Sequence, residues 1–156
     1  FFYANTIKRP YLSEDEAKLV VQKLQEKYQE FKKVNCEIYA ISTDTHFAHK
    51  TWHDISKNIS KIEYPMIGDP THSLTYDFDV FDENDGLAQR GSFIIDPEGK
   101  IVVYEVNAGN VGRNADELLR RLHACQFVYE HGDNVCPAKW KLGEKTIQTT
   151  IENIGK

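Results

Sequence analysis

The stretch "GSFIIDPEGKIVVYEV", residues 91–106, decides the fold. Two apolar runs flank Asp96-Pro97-Glu98-Gly99. Proline suits the second position of a type I turn and glycine its end, so the stretch reads as a β-hairpin. The segments before it tell what the hairpin joins. "CEIYAIST" (36–43) is short, β-branched and aromatic, which marks a strand beginning at Cys36. "DTHFAHKTWHDISKNISK" (44–61) reads as a helix with Phe47, Trp52 and Ile55 as apolar anchors. "IEYPMIGDP" (62–70) is a second short strand closed by turn residues. Strand, helix, strand, hairpin and a last helix give an α/β fold: a mixed β-sheet flanked by helices on both faces.

Further out the reading is more local. "SEDEAKLVVQKLQEKYQEFKKV" (13–34) opens with Ser13 as a cap and with Glu14, Asp15 and Glu16 in the first turn, where the helix dipole favours negative charge. Leu19, Val20, Leu24, Tyr28 and Phe31 recur at helical spacing and predict one buried face. "HSLTYDFDVF" (72–81) is a brief helix or an irregular segment, and "DENDGLAQR" (82–90) is a loop by composition. "NADELLRRLHACQFVYEHG" (114–132) is a helix between an Asn114 cap and a Gly132 stop. The polar remainder, 133–156, is expected to be an arm.

Composition sets the class. The 156 residues are 40% hydrophobic with a formal net charge of −5, enough for one core. There is no basic patch or tail to predict a nucleic-acid partner. No apolar run approaches the roughly 20 residues that cross a bilayer, so no membrane association is expected. The opening "FFYANTIKRP" lacks the basic start, long apolar middle and cleavage site of a signal peptide. Three widely spaced cysteines, Cys36, Cys125 and Cys136, form neither a disulfide framework nor a CxxC pair. They point to a reducing compartment such as the cytoplasm.

The candidate residues divide by surroundings. Cys125 shares a helical face with Leu118, Leu122 and Tyr129 and reads as a small buried hydrophobe. Cys36 reads as strand filler. Cys136 stands apart among Asp133, Asn134, Lys139 and Lys141, where a thiol in a polar arm is open to disulfide exchange. His46, His49 and His53 sit at i, i+3 and i+7, so one helix face could present all three to zinc; a solvated face is the plainer account. Arg90, at the entry to the hairpin, is either an ordinary surface charge or a fixed cation able to lower a cysteine's pKa and donate to an oxygen substrate.

Four segments carry a resemblance: "YAISTDTHFAHKTWH" (39–53), "YPMIGDPTHSLTYDFDV" (64–80), "GLAQRGSFIIDPEGKI" (86–101) and "VCPAKWKLGE" (135–144). In this order they resemble the typical two-cysteine peroxiredoxins, the bacterial alkyl hydroperoxide reductase C group above all. The resemblance runs from about Leu24 to the C-terminus. It implies a thioredoxin-like domain over 1–156, shortened at its N-terminal strands, with 133–156 as the C-terminal arm. It implies a thiol-dependent peroxidase for hydrogen peroxide and small alkyl hydroperoxides, without metal or organic cofactor. A flavoprotein reductase or a thioredoxin-like protein would supply electrons, and dimers would assemble into ring decamers.

Within that resemblance Cys136 matches the resolving cysteine, which joins a partner subunit's oxidised cysteine in a disulfide. Arg90 matches the arginine that holds the peroxide and stabilises the thiolate. The family's first, peroxidatic cysteine follows a strand ending "FFYP". Here "FFYAN" (1–5) runs into "TIKRPYLSEDEAKLVVQ", and no cysteine precedes Cys36. Cys36 itself matches an ordinary strand position. A second reading, favoured by the missing cysteine, is a non-catalytic oligomer on the same fold that serves as a binding or chaperone-like scaffold.

Overall fold

The computed structural model describes residues 14–151, with side chains from residue 22 onward. Within it the chain forms two compact units that divide between Ala115 and Asp116. The expected Ser13 cap and the segment 1–12 lie outside the described residues, as do the side chains of Leu19 and Val20.

The first unit opens with helix α1, Glu14–Lys33. Leu24, Tyr28 and Phe31 are all buried, the face that the helical spacing predicts. The helix stops at Asn35, whose φ of 54° is left-handed. Asn35 N–H donates to the Lys32 carbonyl and Cys36 N–H to the Phe31 carbonyl, both at 3.0 Å, a Schellman ending with asparagine in the place glycine usually takes. Cys36 therefore belongs to the helix stop. The strand expected from Cys36 begins later, as β1, Ala40–Ser42. Tyr28 runs back to this junction, its hydroxyl donating to Glu37 Oε1 at 2.7 Å. That bond, reinforced by burial, pushes the Tyr28 pKa up to about 12.

Helix α2, His46–Ile55, starts at Thr45, whose hydroxyl accepts from Ala48 N–H. That start sets which face points inward, and it differs from the expected one. Phe47 and Ile55 are 71% and 76% exposed, whereas His49 is buried and Trp52 and His53 are half-buried. A 3₁₀ turn, Ile59–Lys61, then leads to β2, Met66–Gly68. β1 and β2 pair in parallel, Ala40 with Met66 through Ser42 with Gly68. A Cβ on Gly68 would stand 2.7 Å from the Asp44 carbonyl oxygen and 2.8 Å from His46 N, so only glycine lets β2 approach the β1–α2 turn this closely.

After β2, Asp69 organises the next turn. It is 3% exposed and accepts hydrogen bonds from Thr75 N–H (2.8 Å), Thr75 Oγ1 (2.6 Å), Leu74 N–H (3.2 Å) and Ser73 Oγ (3.2 Å). These fix α3, Ser73–Asp77. Burial alone would raise the Asp69 pKa, but the donors outweigh it and hold the carboxyl below its ordinary value.

The segment 82–90, expected to be a loop, is mostly a tight hairpin. β3, Phe81–Asp82, pairs antiparallel with β4, Leu87–Ala88. Then comes the hairpin read from residues 91–106: β5, Arg90–Ile95, antiparallel to β6, Ile101–Asn107. Gly99 N–H bonds the Asp96 carbonyl at 3.0 Å and Gly99 takes a φ of 82°, a type I turn closed by a left-handed glycine. Ile41, Val80 and Ala88 form a buried core cluster, with Ile67, Leu74, Phe78 and Phe93 packed on it. Both pairing senses of a mixed sheet are present, although each ladder among the described residues holds two strands.

The second unit takes helix α4, Ala115–Glu130, from Asp116 onward, with the segment after it. Leu118, Leu119 and Leu122 are buried and Cys125 is half-buried, while Tyr129 is 56% exposed, which shortens the expected apolar face. The expected arm is folded: β7, Asn134–Val135, pairs antiparallel with β8, Ile147–Gln148. Thr146 Oγ1 donates to Asn134 Oδ1 at 2.8 Å, and Trp140 is 2% exposed.

The Asp69 network yields a measurable expectation. Asp69→Ala strands several buried donors and should cost about 2–3 kcal/mol in chemical denaturation. The folded-state pKa is depressed, so the carboxylate's contribution is complete above the ordinary carboxyl range. It is lost progressively as pH falls below that range, down through the depressed folded-state value. The stability gap between the parent and Asp69→Asn should therefore be widest near neutrality and narrow at pH 3; a gap independent of pH would contradict this account.

Candidate functional site

Arg90 is the first residue of β5 and is 2% exposed, a buried cation where sequence also allowed a surface charge. Its place follows from the hairpin register, which sets Arg90 opposite Asn107. The strand beyond Asn107 turns back, and the Gly109 carbonyl accepts from Arg90 Nε. Arg113, further along the same loop, donates through Nη1 to the Gly91 carbonyl at 3.0 Å. Two guanidinium groups are thus tied to main-chain carbonyls about the head of β5. Fixed cations of this kind suit an oxygen-rich ligand or a developing thiolate, because the donors are already oriented. Sequence reasoning misses Arg113. Its contact partner lies 22 residues away, and no local pattern marks it.

Cys136 follows β7 directly and is half-buried. Its sulfur lies 3.9 Å from the Ala124 carbonyl oxygen of α4. Burial pushes its pKa up, partly countered by the positive charge of Arg120. The exposed, mobile thiol expected from its polar neighbours is therefore replaced by one stored against a helix. Cys125 is also shifted upward, by burial and then by the neighbouring Cys136. Cys36, after the α1 stop, is shifted upward by burial and by Glu37. All three thiols are half-buried, so burial alone does not separate Cys136 from the other two. Arg90 and Cys136 belong to different units, and each has its own surroundings.

The three histidines have separate roles. His49 Nε2 lies 2.6 Å from Ser42 Oγ, which also reaches Asp44 Oδ2 at 3.2 Å. Burial holds the His49 pKa below its ordinary value, which keeps the ring neutral near pH 7. His46 is exposed and rests on Phe47, with ring centroids 4.0 Å apart. His53 Nε2 sits 3.4 Å from the Ile62 carbonyl oxygen. Among the described residues no three His, Cys, Asp or Glu side chains converge as a metal-binding group. Nor, among those residues, is any helix long and apolar enough to cross a membrane.

Comparison with known proteins agrees with this division. Residues 13–104 match the AhpC/TSA family, and residues 124–154 match the C-terminal domain of 1-Cys peroxiredoxin. Alkyl hydroperoxide reductase C of Bacillus subtilis is 49% identical over 136 residues, 87% of this chain and 73% of the relative. The protein of the same name from Staphylococcus aureus is 49% identical over 87% of this chain and 72% of its own length. Among solved structures, Enterococcus faecalis AhpC superposes with a TM-score of 0.75 at 49% identity, over 77% of this chain and 72% of that one. The reduced 2-Cys peroxiredoxin of Plasmodium vivax gives 0.82 at 25% identity, over 97% and 76%. The fold is thioredoxin-like, and the chain belongs to the AhpC/TSA family of peroxiredoxins, which are thiol peroxidases.

Proposed function

We infer that this chain acts in the reduction of hydrogen peroxide and small alkyl hydroperoxides, with Cys136 as the resolving thiol and Arg90 as the cation of the peroxide site. The observation that carries this reading is the position of Cys136 in "VCPAKW", inside the matched segment 124–154. The chemistry balances in two steps. A peroxidatic thiolate attacks the outer peroxide oxygen, breaks the O–O bond and releases an alcohol or water, becoming a sulfenic acid. The Cys136 thiol then displaces that hydroxyl as water, and an intersubunit disulfide forms. A dithiol reductant, from a flavoprotein reductase or a thioredoxin-like protein, takes both sulfurs back to thiols.

The peroxidatic cysteine has no counterpart before Cys36 in these 156 residues. The decisive experiment therefore supplies the sulfenic acid from outside. This chain is mixed with a family relative whose own resolving cysteine has been changed to serine, and peroxide is added. A mixed disulfide should appear on a non-reducing gel, and Cys136→Ser should abolish it. Failure of the parent chain to form that species would overturn the resolving role. Alone, the chain should consume peroxide little faster than a free thiol.

Arg90 has its own test. In any form of the chain that turns over peroxide, Arg90→Ala removes a preorganised donor and should lower kcat/KM about a hundredfold or more. A loss below threefold would take Arg90 out of the site.

The same reading includes assembly into a homodimer, and from dimers into a ring, and the exposed hairpin strand supports a subunit contact there. Val102, Tyr104 and Val106 of β6 are 44%, 73% and 41% exposed. A bare apolar strand is a liability unless another strand or surface covers it. Light scattering at micromolar concentration should show more than one subunit, and Tyr104→Asp should shift the population toward monomer. A parent chain that is monomeric would refute the assembly. Three separate free thiols are in keeping with a reducing, cytoplasmic setting.

A further inference from the structure

Two cysteines of the second unit lie closer in space than their places in the sequence suggest. Cys136 Sγ stands 3.9 Å from the Ala124 carbonyl oxygen of α4. Cys125 is the next residue, across that same peptide bond. Peptide dimensions put a carbonyl oxygen about 2.8 Å from the following Cα, so the Cys136 sulfur is within roughly 7 Å of the Cys125 Cα. In a disulfide that separation is about 4 Å. A change of χ1 well moves a cysteine sulfur by about 3 Å, enough to span the difference. The two thiols also feel each other's charge: after burial, Cys136 is the group that raises the Cys125 pKa.

The segment bearing Cys136 is anchored on both sides of that sulfur. Before it, Val135 of β7 pairs with Ile147 of β8. Beyond it, Arg120 Nη1 donates to the Trp140 carbonyl at 2.9 Å, and the Trp140 ring lies 5.1 Å from Phe127 of α4. Cys125 itself is carried by the helix. Two half-buried sulfurs are thus kept beside one stretch of α4 main chain. Tethering of this kind gives each thiol a high effective concentration at the other. Cys36 differs: it belongs to the first unit, and after burial Glu37, not a thiol, raises its pKa. The peroxidase chemistry gives Cys125 no role.

We propose that Cys125 and Cys136 are a second redox pair, which closes to an intrachain disulfide when a small-molecule disulfide oxidises Cys136. The Cys136 thiolate attacks one sulfur of the small disulfide, forms a mixed disulfide and releases one thiolate. The Cys125 thiolate then attacks Cys136 Sγ and releases the second. The protons of the two cysteines pass to the two departing thiolates. The chain loses two electrons, and the small disulfide gains them as two thiols. The positive charge of Arg120, which draws the Cys136 pKa down against burial, favours Cys136 as the first to attack. Closed in this bond, Cys136 is withheld from exchange with any other sulfur and from further oxidation, and a dithiol reductant restores it.

The test exposes the reduced, intact chain to glutathione disulfide at about 0.1 mM, roughly a tenth of the millimolar effective concentration of a tethered thiol. Acid quenching is followed by intact mass and by peptide mapping without reductant. The product should be two hydrogens lighter than the reduced chain, with the Cys125 and Cys136 peptides joined. It should outnumber the glutathione adduct on Cys136 about tenfold, the ratio of the two concentrations. Cys125→Ser should reverse that preference and leave the adduct on Cys136; if the serine variant does not fold, Cys125→Ala makes the same comparison. Cys36→Ser should leave the crosslink unchanged. A parent chain without the Cys125–Cys136 crosslink overturns the pairing, whether it carries the adduct, a bond to Cys36, a bond between two chains or three free thiols. The resolving role is judged separately, by the mixed disulfide with a family relative, and its failure leaves the pairing standing.

Discussion

A guanidinium group taken out of water sets the terms for the first unit. Arg90 is almost fully buried, and a buried charge is costly unless polar groups turn toward it. The loop after β6 meets that demand by directing the Gly109 carbonyl inward, and Arg113 ties the same loop to the Gly91 carbonyl. The β5–β6 register is thereby constrained at one end by charge and at the other by the Asp96–Gly99 turn. A slip of one residue would carry Arg90 to the opposite face of the strand and leave its charge uncompensated. The hairpin is therefore both a structural element and the mount for a cation.

A similar economy recurs at three carboxyl groups, of which Asp69 is buried. Asp69 is satisfied largely by the helix it caps, Glu37 by the Tyr28 hydroxyl and its neighbour's main chain, and Glu117 by two arginines. Each carboxyl is held below its ordinary pKa; for Glu117 the Arg120 bond leads and brings the value to about 2. Each of these groups joins segments that are neighbours in space and only moderately separated in sequence. The fold thus uses charge locally, as clasps at turns and helix ends, and leaves the core to Ile41, Val80, Ala88 and the residues packed on them.

What can be read from sequence is what local chemistry encodes. The Asp-Pro-Glu-Gly turn announces the hairpin, and the spacing of Leu24, Tyr28 and Phe31 announces the face of α1. The inward face of α2 departs from its apolar pattern because a start at Thr45 turns Phe47 and Ile55 outward and His49 inward. The order in the C-terminal segment is hidden for a different reason. β7 and β8 are two residues each, and their pairing joins Asn134 to Gln148, too short and too distant for a periodicity to register. Of the candidate site, Arg90 and Cys136 are visible as motif positions, but the half-buried state of Cys136 is not. Arg113 and Arg120 are invisible because each is defined by a main-chain carbonyl about 20 residues away.

The shared condition of the three thiols bears on chemical wear. Oxidants attack thiolates, and a thiol whose pKa is raised spends little of its time ionised at neutral pH. Cys36, Cys125 and Cys136 are therefore poor entrants to the irreversible part of the oxidation ladder, the sulfinic and sulfonic acids. Under a surge of peroxide, damage would accumulate first on whatever low-pKa sulfur does the attacking. A subunit whose half-buried sulfurs stay largely protonated would outlast that partner.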